Sequence, residues 1–169
     1  MARPAQDEAA AYFFRYIDLA KGESVKETLQ NHSEELKTFY SNLPVEKADY
    51  AYAPGKWTIK ELLQHVIDAE RVFVYRALRF ARKDATPLHS FDENAFAENS
   101  FAGDRIFSSI KDEFNALRLS TDIMLDALNE EQLNSGGTAS NNHTTVNAIG
   151  FIIYGHLLHP KNILEARYL

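Results

Sequence analysis

The residues most able to do chemistry in this chain are its six histidines: His32, His65, His89, His143, His156 and His159. Three of them, His65, His156 and His159, lie deep in segments with strong helical periodicity. His65 is followed three residues later by Asp68, and His156 three residues later by His159, so each pair shares a helix face. If a bundle brings those two faces together across its core, the result is a two-helix histidine site of the kind in which bundles build metal centres. Imidazole nitrogen suits zinc, nickel, copper or iron, and a catalytic metal keeps one position open for water or substrate. Asp68 would be either a ligand or an acceptor that orients His65. Spacing alone also allows these histidines to be structural or solvent-facing. His89 falls in a loop, His143 near a helix start and His32 beside a charged stretch.

Other chemistries are poorly supplied. The chain has no cysteine, so disulfides, thiolate ligands and a cysteine nucleophile are excluded, and any metal must rest on His, Asp or Glu. There is no glycine-rich phosphate loop and no serine or threonine nucleophile motif; Ser108, Ser109 and Ser120 read as ordinary helix residues. Asp68, Glu70, Arg71, Tyr75 and Arg76 would either line a pocket mouth or form surface ion pairs, which contribute little. The eight Tyr and eleven Phe are explained by core packing more simply than by nucleotide stacking.

The elements that must position the histidines are helices. Gly and Pro are scarce, at seven and five of 169 residues, and apolar residues recur three and four apart. A short first helix is expected from about Asp7 to Ala20, stopped near Gly22. A second runs from about Ser24 to Ser41, with Val25, Leu29, Leu36 and Phe39 or Tyr40 inward. Thr58 and Glu61 form a capping box, with Trp57 able to staple onto Leu62. The helix after it, about Ile59 to Lys83, turns Leu62, Val66, Ala69, Phe73, Ala77 and Phe80 to one side. Residues 85–103 read as a long ordered connection. The next helix spans about Asp104 to Leu128, capped by Asp104, with Ile110, Phe114, Leu117, Thr121 and Leu125 inward. Residues 134–142 read as a surface loop, and a last helix runs from about Thr144 onward over Val146, Ile149, Ile153, Leu157 and Ile163 or Leu164. No strand is expected. Four long helices and a short one cannot bury their apolar stripes separately, so the expected fold is all-α, a single four-helix-bundle domain over 1–169. The long crossover permits a topology other than simple up-down-up-down.

A net charge of −6 argues against affinity for phosphate backbones, so no nucleic-acid partner is expected. No segment is apolar enough for a membrane span, and the N-terminal residues lack a signal-like apolar run, so a cytoplasmic location is expected.

Taken as a set, the stretch Gly55-Lys-Trp-Thr-Ile-Lys-Glu-Leu-Leu-Gln-His-Val-Ile-Asp-Ala-Glu-Arg71, the following Tyr75-Arg-Ala-Leu, the terminal Gly155-His-Leu-Leu-His and Glu165-Ala-Arg-Tyr-Leu169 resemble the DinB-like superfamily. The helix order, Phe91-Asp-Glu and Arg118 agree with it, and the resemblance covers nearly the whole chain. It implies a four-helix bundle with a histidine triad binding a divalent metal, one ligand on the second long helix and two on the last. It also implies a thiol-dependent transferase or isomerase that uses a low-molecular-weight thiol, or a reaction not yet known. His65 matches the first ligand and His156 the second. Relatives carry the last ligand four residues after the second, which here is Pro160. His159 matches a neighbouring histidine. A proline inside the helix removes a backbone bond and crowds the carbonyl of His156. A kink there would swing His159 toward the metal; otherwise the site is a two-histidine remnant.

Two readings stand at this level. In the first, His65 and His156, completed by His159 or Asp68, hold a zinc or nickel ion that activates a water or a thiol toward a small-molecule substrate, giving a hydrolase or a thiol transferase. In the second, the metal site is degenerate because of Pro160, and the bundle is a binding or interaction protein, expected as a homodimer.

Overall fold

The chain is described by a computed structural model covering residues 1–169. A 3-10 turn at Ala11–Phe13 leads into the short helix α1 (Phe14–Ile17). The four long helices are α2 (Val25–Ser41), α3 (Ile59–Ala81), α5 (Phe107–Asp126) and α7 (Val146–Arg167). Between α3 and α5 lies α4 (Glu93–Asn99). Between α5 and α7 lie α6 (Glu130–Asn134) and a two-stranded antiparallel hairpin, β1 (Gly136–Ala139) with β2 (Asn142–Thr145).

The helix starts are set by local chemistry. Ser24 accepts from the Glu27 N–H, and Thr145 accepts from the Ala148 N–H. Thr58 and Glu61 form the reciprocal capping box expected from the sequence, which satisfies donors that the first turn would otherwise orphan. Asp104 does not cap α5 as expected; it sits in a separate 3-10 turn, and α5 begins at Phe107 without a side-chain cap.

Three further expectations are corrected. The first helix is shorter than Asp7 to Ala20, because Arg3 reaches the carbonyls of Ile17, Ala20 and Gly22 and ends it there. The 85–103 connection is not wholly irregular: Asp92 caps Glu93–Asn99 through the N–H groups of Asn94 and Ala95. The 134–142 segment is not a simple surface loop, since residues 136–139 pair with residues 142–145. Ser140 and Asn141, at φ of 52° and 63°, make the two-residue turn that matches strand twist. Leu88 lies alongside this hairpin, its N–H bonded to Thr138 O and its carbonyl to Ser140 N.

The long helices pack in a ring, α2 against α5, α5 against α3, α3 against α7 and α7 against α2. Helices consecutive along the chain, α2 with α3 and α5 with α7, therefore lie on the diagonals, a departure from up-down-up-down made by their own connections, whereas the long 85–103 crossover joins α3 and α5, which are neighbours in the ring. The inward residues foreseen on α3 are all buried. α7 is not one-sided as expected. It is buried all round from Val146 to Leu158, because α1 covers the side that the other long helices leave open.

Gly155 is what allows that cover. A Cβ at this position would stand 1.9 Å from Tyr16 O, so the α1 backbone rests directly on α7. Gly155→Ala is expected to cost about 2–3 kcal/mol in urea unfolding and to strip amide-exchange protection from residues 11–20 first.

At the centre of the ring, one polar cluster draws on all four long helices. Arg118 on α5 is fully buried and donates to Glu70 of α3 at 2.8 Å and to Asp122. Thr121 donates to Glu70 at 2.6 Å, Tyr154 of α7 to Asp122 at 2.8 Å, and Ser33 of α2 also to Asp122.

Candidate functional site

His65 comes from the second turn of α3 and His156 from the middle of α7, and the α3–α7 contact brings their rings to 5.1 Å between centroids. They are 8% and 5% exposed. Trp57, just ahead of the Thr58 cap, lays its indole 4.8 Å from the His65 ring. Tyr16 of α1 and Phe73 of α3 stand 5.3 and 5.5 Å from His156. An aromatic box thus encloses two imidazoles, neither of which receives or gives a hydrogen bond within the protein.

Burial dominates the electrostatics of the pair. It pushes His65 down to about 4, against a smaller opposing effect of Asp68. It pushes His156 down to about 3, helped by the charges of His65, His159 and Arg15. Both rings are neutral at pH 7, leaving a lone pair on each for a proton, a hydrogen bond or a cation.

That depression fixes a pH dependence of stability. Unfolded histidine titrates near 6.5, so above that pH neither state binds the protons and the fold keeps its full stability. As the pH falls below 6.5, the unfolded chain takes up protons that folded His65 and His156 refuse until about 4 and 3. By pH 5.5 the loss should reach about 1.4 kcal/mol from each ring. Urea midpoints at pH 7.5 and 5.5 measure it, and the loss should shrink in the His65→Gln/His156→Gln double variant.

The third expected ligand is not with the pair. His159 is exposed, its ring edge-on to Tyr16 at 5.6 Å, so Tyr16 contacts both it and His156. α7 continues unbroken through Pro160 and does not swing His159 inward. The buried Tyr40 hydroxyl enters the helix ladder at this level, donating to Leu157 O at 2.7 Å and meeting the Lys161 N–H, which is how a helix accommodates an interrupted turn. Asp68 is engaged elsewhere, accepting from Gln64 at 3.0 Å and lying 3.7 Å from Arg71. No group of three or more histidine or carboxylate side chains is placed to hold a metal ion. The residues present therefore supply two imidazoles and do not fit a three-ligand metal centre.

The remaining histidines are placed by structure. His32, beside the charged stretch as its sequence place has it, is buried, its Nδ1 3.8 Å from Glu35 and its Nε2 accepting from the Lys21 N–H at 2.8 Å. His89 lies on the crossover, and His143 pairs across the hairpin with Thr138. Trp57, which contacts His65, also lines a pocket of about 310 Å³ that opens between Tyr52, Leu62, Asn94, Ile163 and Tyr168. Sequence reading placed Tyr16, Phe73 and Trp57 as packing residues only. The one local signal for Tyr16 was Gly155 beside His156, a glycine inside a helix marking close backbone approach.

A ring of four helices with diagonal connections and a histidine pair between its second and last members defines a class, and comparison with known proteins gives it a family. The chain belongs to the DinB superfamily, whose family model matches residues 28–159. Among solved structures it is similar to YfiT from Bacillus subtilis, described as a probable metal-dependent hydrolase with an unusual four-helix bundle topology. The TM-score is 0.66 at 17% identity, over 96% of this chain and 91% of that one. It is also similar to the mycothiol-dependent maleylpyruvate isomerase, with a TM-score of 0.66 at 10% identity over 89% of this chain. The match spans 59% of the isomerase's own length. Among curated proteins no sequence match is found. No helix is long and apolar enough to cross a membrane.

Proposed function

We propose that this DinB-superfamily chain uses the His65–His156 pair as a small-molecule site of two neutral imidazoles, and that it does not retain a divalent metal as a three-histidine site does. The observation that carries this reading is the absence of a third ligand from the pair. Pro160 occupies the buried position one turn beyond His156, and His159 points outward beside Tyr16. Two neutral rings in an aromatic box can accept a substrate's hydrogen bonds at neutral pH. The adjoining pocket, with its aromatic walls, gives room for a mostly apolar body. A low-molecular-weight thiol is a suitable occupant, because a chain without cysteine must borrow its sulfur and a neutral imidazole can accept the thiol's hydrogen bond.

The metal-dependent reading rests on the resemblance to relatives, one of which is described as a probable metal-dependent hydrolase. Two readouts separate the two. Elemental analysis of protein purified without a metal-binding tag is expected to show metal well below one equivalent, and titration with zinc or nickel to give binding reversed by dialysis and lost in His65→Ala and His156→Ala. Tightly held, stoichiometric metal would sink the proposal and restore the three-ligand reading.

A further inference from the structure

The chain buries two arginines that differ in one respect. Arg118 sits among two carboxylates, whereas Arg76 on α3, 5% exposed, takes part in no ion pair. Burial holds Arg76 below the ordinary arginine range, and no neighbouring charge opposes that effect. A buried cation without a counter-charge is costly to maintain, so what its free donors face is the question.

They face a cleft. Arg76 lies on the wall between α3 and the crossover, where Val72 of α3 and Pro87, Leu88 and Phe91 of the crossover enclose about 460 Å³. Both of its protein hydrogen bonds leave from Nη2, to His89 O at 2.9 Å and to Ser140 Oγ at 3.1 Å. Those bonds hold the guanidinium plane while Nε and Nη1 take no acceptor from the protein. The Phe91 ring centroid lies 6.0 Å from Arg76 Cζ.

The surroundings are fixed. Leu88 is bonded on both sides to the hairpin, the hairpin turn supplies Ser140, and Arg79 is bonded to Asp84 at the start of the crossover. Because Asp84 offsets Arg79, Arg76 is the one uncompensated cation on this wall, which suits a ligand with a single negative group. The apolar residues opposite suit a hydrocarbon or aromatic remainder.

We propose that this cleft binds a small monocarboxylate with an apolar body, its carboxylate paired to the Arg76 guanidinium through a donor that the protein leaves free, Nη1 or Nε. With Nη2 bonded to His89 O and Ser140 Oγ, the contact is a single charge-assisted hydrogen bond, shorter and stronger than a neutral one. Arg76 stands eleven residues beyond His65 on the same helix, about 16 Å along its axis. The inference is independent of the histidine site, and either can fail without the other.

The test uses the whole chain, with benzoate as the probe and benzamide as its uncharged counterpart. Amide chemical shifts followed by titration are expected to show saturable benzoate binding in the millimolar range, confined to residues 72–79, 86–91 and 138–141, with no binding of benzamide. Arg76→Met should weaken benzoate binding at least about tenfold, and Arg76→Lys, which keeps the charge and loses the bonds that fix it to His89 and Ser140, by a smaller factor. If Arg76→Met does not fold, the wild-type map and the benzoate–benzamide contrast decide alone. Inorganic phosphate shifting the same amides without benzoate doing so would keep the anion site and remove the apolar body from the proposal. Benzoate shifts mapping elsewhere, equal binding by Arg76→Met, or no saturable anion binding would overturn it.

Discussion

Arg118→Met is expected to lower the unfolding free energy by about 3–5 kcal/mol. Desolvation alone would drive Arg118 toward neutrality, and Glu70, Tyr154 and Asp122 together hold its pKa above the ordinary arginine range instead. Removing the cation leaves Glu70 and Asp122 in the middle of the ring with only hydroxyl partners, Thr121 for one and Ser33 and Tyr154 for the other. Each carboxylate must then stay charged at a high desolvation cost or take up a proton. The loss should therefore be smaller at low pH, where protonation is easier. Urea unfolding at pH 7 and pH 5 tests both parts. The triple replacement of Glu70, Arg118 and Asp122 by apolar residues of similar volume should recover most of the loss, because a buried charge cluster serves stability less than its integrity does. A loss below about 1 kcal/mol for Arg118→Met at pH 7 would mean that water reaches the cluster.

The same cluster shows where sequence reading stops. The stripes of α3 and α5 were legible because Leu62, Val66, Phe73, Phe80, Ile110, Phe114 and Leu125 repeat at helical spacing and are buried as that spacing requires. Glu70 and Arg118 share those helices, but a charge in an amphipathic pattern reads as solvated, and only the three-dimensional pairing reveals a charge inside. The hairpin escaped notice because its strands have four residues each and include two glycines, too short and too weakly alternating for a period-2 signal. α4 escaped for the opposite reason. It buries no residue and leaves Phe96 exposed, so it has no apolar face to find; its Asp92 cap was the available cue.

At the site, His65 and His156 were legible from helix spacing, and the structure brings them together. The third residue turned on a finer point of helix geometry. Each residue advances the helix by 100°, so three residues fall 60° short of a full turn and four pass it by 40°. Both neighbours share a face with His156 in a coarse sense, yet only one lies over the partner helix. The burial pattern picks it out: Pro160 is buried and His159 exposed. Equal treatment of i+3 and i+4 fails here because beyond Leu158 α7 is buried on one side only, with Pro160 and Leu164 inward and His159, Asn162 and Glu165 outward.

Pro160→His is for this reason expected to create what the chain lacks. The substitution places an imidazole on the buried face next to His156 and restores an N–H able to bond the His156 carbonyl. With His65 it gives three nitrogen ligands and an open fourth position, the arrangement of a catalytic zinc site. Zinc should rise from well below one equivalent to near one per chain and resist dialysis, with affinity tightened on the order of 100-fold. Isothermal titration of wild type, Pro160→His and Pro160→Ala separates the causes. Pro160→Ala also relieves the helix without adding a ligand, so gain in Pro160→His alone assigns the effect to the imidazole, whereas gain in both would mean that the proline had been holding His159 away. Loss of the new binding on His65→Ala or His156→Ala in the Pro160→His background would complete the assignment. Failure of Pro160→His to gain zinc while folding normally would mean that the aromatic box of Trp57, Tyr16 and Phe73 no longer leaves room for an ion. The two-imidazole site would then stand on its own packing as well as on its missing ligand.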